Sequence, residues 1–220
     1  MCGRFAITLP IEAMSQLFNA IPANDLSIVP NYNVCPTTNI HTITYDNNVR
    51  RLRSMRWGFI PKWYKNVSDG PLLINARSET VAEKPAFRKA CRTTRCLIPS
   101  DGFYEWQRRN GGKSVPYRVT RSDGAPLVMA GIWQDWEREG KKISTCAIIT
   151  TEANSKTAEI HHRLPVILSP EDWPLWLGEV GNGAAALMLP VLENALDLCR
   201  VSSCVNSNLS SGSKLWNPLL

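Results

Sequence analysis

A cysteine at position 2 is the first residue in the chain whose type and place could do chemistry. Removal of Met1 before so small a residue would leave cysteine as the N-terminus, with an α-amine (pKa about 7.7–8.0) beside a thiol (pKa about 8.5). Such an amine is partly unprotonated at neutral pH. It can attack an aldehyde to form an imine, which the thiol closes to a five-membered thiazolidine. Alternatively, the thiol attacks a carbonyl with the amine as its base. Taken alone, Cys2 reads more readily as a buried thiol on a first strand.

Three further positions carry groups that could serve such a nucleophile. Glu105 lies in Gly102-Phe103-Tyr104-Glu105-Trp106. A carboxylate flanked by aromatic residues is desolvated, which raises its pKa and suits proton transfer. The plain alternative is a solvent-facing strand glutamate. His161, in Ile160-His161-His162-Arg163-Leu164-Pro165, titrates near neutrality and is a natural acid or base. On an extended segment the two histidines would point opposite ways, so at most one faces a site. Asn75 and Arg77, in Asn75-Ala76-Arg77-Ser78-Glu79, share a face at i and i+2. Together they could hold a carbonyl or hydroxyl and a phosphate; the alternative there is a structural salt bridge and helix cap. Trp63 and Tyr64 sit in a loop beside Arg56, Lys62 and Lys65. Aromatics interleaved with cations suit base stacking on a single strand, or form a cluster under a long loop.

The elements that must position these groups are short. Periodicity and turn residues place strands at 40–45, 49–57, 95–99, 102–108, 117–121, 126–133, 143–150 and 165–168, after an opening strand closed by Ile7-Thr8-Leu9-Pro10. Turns are expected at Asp46-Asn47-Asn48, Asn110-Gly111-Gly112, Ser122-Asp123-Gly124 and Glu139-Gly140. Helices are expected at 11–18, at 78–93 with an interruption at Pro85, at 152–159 and at 173–177. Many short strands with few helices predict an α+β class: one β-rich domain over 1–220, barrel-like or sandwich-like, with short peripheral helices. The Ser/Asn-rich stretch 206–214 is expected to be loose.

Composition bounds the function. The chain has 220 residues, 44% of them apolar and 20% charged, and a net charge of +6. That is globular and excludes wholesale disorder. Residues 50–122 hold 17 Lys and Arg against 5 Asp and Glu, while the remainder holds 8 against 14. A basic middle in an otherwise acidic chain suggests a polyanion partner or an idle solvated face. No apolar run approaches the ~20 residues of a membrane span, and the first residues have no secretory apolar core. A cytoplasmic, nucleoid-associated protein is expected, or a nuclear one if the source is eukaryotic. Seven scattered cysteines then read as reduced thiols. Their spacing, with only three histidines in the chain, does not suggest zinc, and no cofactor is expected.

Five ordered segments are more specific than any one of them: Met1-Cys2-Gly3-Arg4-Phe5, Asn75-Ala76-Arg77-Ser78-Glu79, Gly102-Phe103-Tyr104-Glu105-Trp106, Thr150-Thr151-Glu152-Ala153-Asn154 and His161-His162-Arg163-Leu164-Pro165. In these the chain resembles the SRAP family, the abasic-site-processing proteins first named as SOS-response-associated peptidases. A weaker match continues to Val201-Ser202-Ser203-Cys204-Val205-Asn206. Leu164 stands where the family commonly has Met, and the segment after Leu177 is less typical. The resemblance implies a β-rich fold with a positive cleft for single-stranded DNA or a single/double-strand junction. It implies that mature Cys2 forms a thiazolidine crosslink with the ring-opened aldehyde of an abasic site, shielding the lesion, and a self-processing step that removes Met1. By position, Asn75 would orient the amine or the sugar, and Glu105 and His161 would move protons. Arg4 and Arg77 would hold phosphates, Thr150 would line the site, and Trp63 and Tyr64 would stack where paired DNA parts. A monomer is expected, and the basic surplus would line the cleft. Two rivals remain at this level. One is an N-terminal-nucleophile amidohydrolase, since Met-Cys-Gly also opens glutamine-hydrolysing domains. The other is a non-covalent single-strand-binding module.

Overall fold

The computed structural model describes residues 2–108 and 112–219. Met1 and most of the expected turn at Asn110-Gly111-Gly112 lie outside the described residues. The centre is a closed five-strand barrel. Its staves are β4 (Asn39–Asp46), β5 (Val49–Trp57), β7 (Arg95–Ser100), β10 (Leu127–Arg138) and β11 (Lys141–Glu152), following β1 (Phe5–Ile7), β2 (Ala20–Pro22) and β3 (Asn31–Val34) in the chain. Antiparallel pairings run β5-β4-β7-β10-β11, and parallel pairing of Thr145 with Arg56 and of Cys146 with Trp57 closes the ring.

Two hairpins start the barrel. Asn47 and Asn48 both take positive φ, 50° and 61°, between the paired Asp46 and Val49. Glu139 and Gly140 do the same, at 49° and 76°, between Arg138 and Lys141. Two consecutive left-handed residues match the right-handed twist of the flanking strands, so each hairpin register is set locally.

A second sheet packs beside the barrel in the order β13 (Leu196–Arg200), β9 (Val115–Arg121), β8 (Gly102–Gln107), β1, β3. The main core joins both, with Phe5, Trp57, Leu97, Phe103, Met129 and Ile148 all buried. The strands β6 (Asn75–Arg77) and β12 (Arg163–Pro165) lie along β11. Helices α1 (Ile11–Phe18), α2 (Arg88–Thr93), α3 (Ser155–Ala158) and α4 (Trp173–Leu177) are peripheral. In α1 the buried Met14 and Phe18 recur at i and i+4, and Asn19 ends the helix at φ 47°. Among the described residues no helix is long and apolar enough to cross a membrane, and all seven cysteines are free thiols.

Two expectations need correction. The helix over 78–93 is confined to α2; the stretch before it is a chain of turns, from Thr80 N–H on the Arg77 carbonyl to Phe87 N–H on that of Lys84. A proline cannot donate and clashes with the preceding turn, so the helix starts only after Pro85. The strands β2, β3, β6 and β13 were not expected as such beyond the extended end at Asn75–Arg77. In the stretch 206–214 the Ser207 and Ser210 carbonyls accept from Asn33 Nδ2 at 3.0 and 2.6 Å.

Candidate active site and nucleic-acid groove

Cys2 stands just before β1, a strand held between β3 and β8 by pairing of Phe5 with Val34 and Phe103. The residue is fully buried. Burial first, and then the Glu105 carboxylate, push its thiol well above the ordinary range. In the chain as it stands the thiol is therefore protonated. Asn75 Nδ2 donates to the Cys2 carbonyl at 2.8 Å. The other end of the amide, Oδ1, is buried and accepts no hydrogen bond among the described residues. A buried acceptor left unmet costs about 1–3 kcal/mol, so it marks a place for a donor.

Glu105 approaches from β8. This strand begins at Gly102, where φ is 153° and a Cβ would lie 2.2 Å from the Val119 carbonyl. Only glycine lets β8 come this close to β9. Alternation from there puts Phe103 and Glu105 on one face. The Glu105 side chain is buried, with Oε1 accepting from the Trp106 backbone N–H at 3.2 Å. His161 lies against it: Phe103, Val119, Ile160, Leu164 and Leu198 enclose the pair around a void of about 10 Å³. Burial lowers the imidazole pKa and the Glu105 charge opposes that shift. The Arg163 backbone N–H donates to His161 Nδ1 at 3.0 Å. A fixed backbone donor there means that the neutral ring carries its proton on Nε2. The two histidines do not diverge as an extended segment would require. Residues 161–162 form a bend, and their rings stack with centroids 4.4 Å apart, His162 being the exposed one.

The motifs meet through β11. Its Ile148 pairs with Asn75, and its Thr150 pairs with Arg77 on one side and Pro165 on the other. Arg163, almost fully buried, then bridges the outer strands. Its Nη1 and Nη2 grip Glu79 Oε1 and Oε2 at 2.7 and 2.9 Å, and Nη2 also donates to the Thr150 carbonyl at 2.7 Å. The ion pair holds the Glu79 carboxyl below its ordinary range. Thr150 itself is fully buried, its Oγ1 3.5 Å from Arg163 Nη2. Its observed contacts are those of framework between the motifs.

In front of Asn75 lies a groove of about 510 Å³, lined by Trp63, Leu73, Asn75, Arg77, Thr80, Lys84, Pro85, Ala86 and Phe87. Alternation along β6 turns Asn75 and Arg77 outward and buries Ala76. Arg77 is exposed and pairs with no carboxylate among the described residues. Trp63 is 55% exposed at the rim. Its neighbour differs: the Tyr64 ring packs on Gly70, where an added Cβ would lie 2.1 Å from the phenol oxygen. The Tyr64 carbonyl also accepts from Trp136 Nε1 at 3.0 Å. Thus Trp63 presents a free face and Tyr64 anchors the loop. Lys84 and Phe87 belong to this groove and were missed in the sequence; the turns at 78–87 bring them there.

Other expected contacts are engaged elsewhere. Arg4 is buried; its Nη1 donates to Asn33 Oδ1 at 2.7 Å and to the Val205 carbonyl at 2.9 Å, and its Nη2 to Asn208 Oδ1 at 2.6 Å. Its role in this structure is to tie the N-terminal strand down. Six half-buried cations of the basic middle likewise have partners within the fold. Arg50 pairs with Glu179 at 2.6 Å, Arg53 lies 4.7 Å over the Trp133 ring, and Arg56 donates to the Gly58 carbonyl at 2.6 Å. Arg95 donates to the Trp176, Cys91 and Arg92 carbonyls, Arg118 to that of Trp216, and Arg121 pairs with Asp123. These six are engaged within the fold, and Arg77 and Lys84 are the members of the cationic surplus that line the groove.

A buried cysteine just before β1, a carboxylate and an imidazole beside it, and a groove lined by two cations and an exposed tryptophan thus lie together. The sequence profile of the SOS response associated peptidase (SRAP) family matches residues 1–208, and the chain belongs to that family. It is 37% identical over 222 residues to a Bacillus subtilis protein named abasic site processing protein YoqW, covering 98% of each chain. It is 30% identical to the Escherichia coli protein named abasic site processing protein YedK, covering 100% of both. A crystal structure of a Bacteroides thetaiotaomicron protein superposes with a TM-score of 0.87 at 26% identity over 100% of both chains.

Proposed function

We propose that this protein processes abasic sites in DNA during the damage response, by forming a covalent crosslink through Cys2 after Met1 is removed. The observation that carries the reading is the Asn75 amide. One end holds the Cys2 carbonyl at 2.8 Å while the other is a buried acceptor without a partner among the described residues, beside a groove suited to a strand. The Cys2 amine adds to the ring-opened aldehyde and loses water to give an imine. The thiol then adds across the C=N bond, its proton passing to nitrogen, and a thiazolidine results. The net change is loss of one water, with no oxidant or cofactor. Glu105 and neutral His161 shuttle the protons, and the Asn75 Oδ1 accepts from the amine or from a sugar hydroxyl. The surrounding apolar side chains keep water from the Glu105 carboxylate.

The groove holds the flanking single strand or the strand at a junction, with a base on Trp63 and phosphates on Arg77 and Lys84. The whole chain acts as one unit and as a monomer, in the cytoplasm at the nucleoid or in a nucleus. Met1 removal by the protein's own site fits the family's name. The test is a denaturing gel with an abasic single strand. A shifted band with the wild type and none with Cys2→Ala is expected; a band that persists in Cys2→Ala refutes the nucleophile. Glutamine hydrolysis without any band would support the amidohydrolase instead.

A further inference from the structure

The strand that follows the nucleophile is buried in the core but has a short hydrogen-bonded ladder. β1 has three residues, and its ladder offers two residue pairs to β3, with a register shift between them, and two to β8. Chain ends of this kind fray unless something ties them down. Here the tie comes from the far end of the sequence. We propose that residues 203–210 form a clasp that seats the N-terminal strand, and that Asn208 is a positioning residue for Cys2. This rests on the crosslinking role given to Cys2 above.

The clasp begins at Ser202, whose side chain accepts from the Cys204 N–H and starts a short 3-10 turn over Ser203–Asn206. Val205 is its apolar anchor, buried with Tyr104, Val201 and Leu215. From that anchor, neutral acceptors reach the guanidinium of Arg4: the Val205 carbonyl at 2.9 Å and Asn208 Oδ1 at 2.6 Å. Asn33 completes the knot, accepting from Arg4 at 2.7 Å and donating to the Ser207 and Ser210 carbonyls. Bonds from a charged donor are about twice as strong as neutral ones, so this cluster outweighs the short ladder. The same segment also touches β8. Asn206 Oδ1 accepts from Trp106 Nε1 at 2.7 Å, and the Trp106 backbone N–H donates to Glu105 Oε1 at 3.2 Å. Arg4 lies 5.9 Å over the Trp106 ring. Cys2, two residues before Arg4, and Glu105, one before Trp106, are thus located by one segment. Loss of that common reference lets nucleophile and carboxylate drift apart, which is what proximity catalysis cannot tolerate.

The experiment compares wild type, Asn208→Ala, Asn206→Ala and Asn208→Asp, which keeps an acceptor oxygen. Asn208 is exposed, so its substitution does not threaten folding. The first readout is hydrogen exchange of the Tyr104 amide, which donates to the Arg4 carbonyl at 2.9 Å and reports β1 seating without any chemistry. The second is the single-turnover crosslinking rate against concentration of an abasic single strand. Asn208→Ala is expected to speed the exchange and to lower the saturating rate about tenfold, with the half-saturating DNA concentration unchanged. Asn208→Asp restores both. Unchanged exchange in both alanine variants overturns the clasp, and so does faster exchange with a wild-type saturating rate. If exchange responds but wild type never crosslinks, the clasp stands as the anchor of β1 and the crosslinking reading is what fails.

Discussion

Breaking the Glu79–Arg163 pair is the sharpest test of how the motifs are joined. The perturbation is Glu79→Ala. Arg163 is 8% exposed and Glu79 43% exposed on their side chains. A fully buried pair costs about 3–5 kcal/mol when one partner is removed, and an exposed one about 0–1 kcal/mol. This pair is intermediate, and Arg163 keeps its bond to the Thr150 carbonyl, so the expected loss is about 2 kcal/mol. Urea denaturation measures it, as a lower midpoint at unchanged m-value. The pH dependence has a definite sign. The Glu79 pKa is depressed below its ordinary value of 4.5 by Arg163. Its contribution is therefore complete above that value and is lost as pH falls through the folded pKa. The gap between wild type and variant should narrow on titration from pH 6 to below 4. A loss under about 0.5 kcal/mol at pH 7, or a gap that does not narrow in acid, would refute the reasoning.

Three further outcomes follow from the site. Trp63→Ala should weaken single-strand binding by about 1–3 kcal/mol, the worth of one stacked base, while Tyr64→Ala should lower stability and leave affinity nearly intact; equal effects on affinity would contradict the division between them. Removing Arg77 or Lys84 should each flatten the salt dependence of binding by roughly 0.7 in the log–log slope, as expected for one phosphate on a single strand, and a slope equal to wild type would remove that residue from the groove. Because burial lowers the His161 pKa below its ordinary 6.5, the neutral base persists below that pH, and the acid limb of the crosslinking rate attributable to it should fall there. His161→Gln should abolish that limb and leave the one set by the Cys2 amine, near 7.7–8.0; a profile identical to wild type would exclude His161 from proton transfer.

Much of the barrel was legible because its signals are local. The Asn47-Asn48 and Glu139-Gly140 turns set two registers; period-two burial shows at the end of β5, at Met55 and Trp57, while β4, β10 and β11 are buried in unbroken runs over 40–44, 127–132 and 145–151. The outward pairing of Asn75 with Arg77 follows from the same alternation. What escaped the sequence depends on distant partners. The three-residue strands β2 and β6 exist only because β5 and β11 lie ready to pair with them. Arg4 looks like a phosphate ligand until its acceptors appear 29, 201 and 204 residues away. Arg50, Arg53 and Arg56 on β5 count toward the basic surplus in the sequence, but Glu179, the Trp133 ring and the Gly58 carbonyl take up their guanidinium groups. Glu79 stood inside a quoted motif, where a structural salt bridge was one open reading; its partner was Arg163, inside another.

The central claim is that Cys2, freed of Met1, traps the abasic aldehyde. Intact mass of the purified protein, before and after mixing with an abasic single-stranded oligonucleotide, tests it most directly. The account predicts a protein lacking Met1, then a species equal to protein plus DNA less one water, absent for Cys2→Ala. A wild-type protein that lacks Met1 and gives no adduct, or an equal adduct from Cys2→Ala, would contradict it.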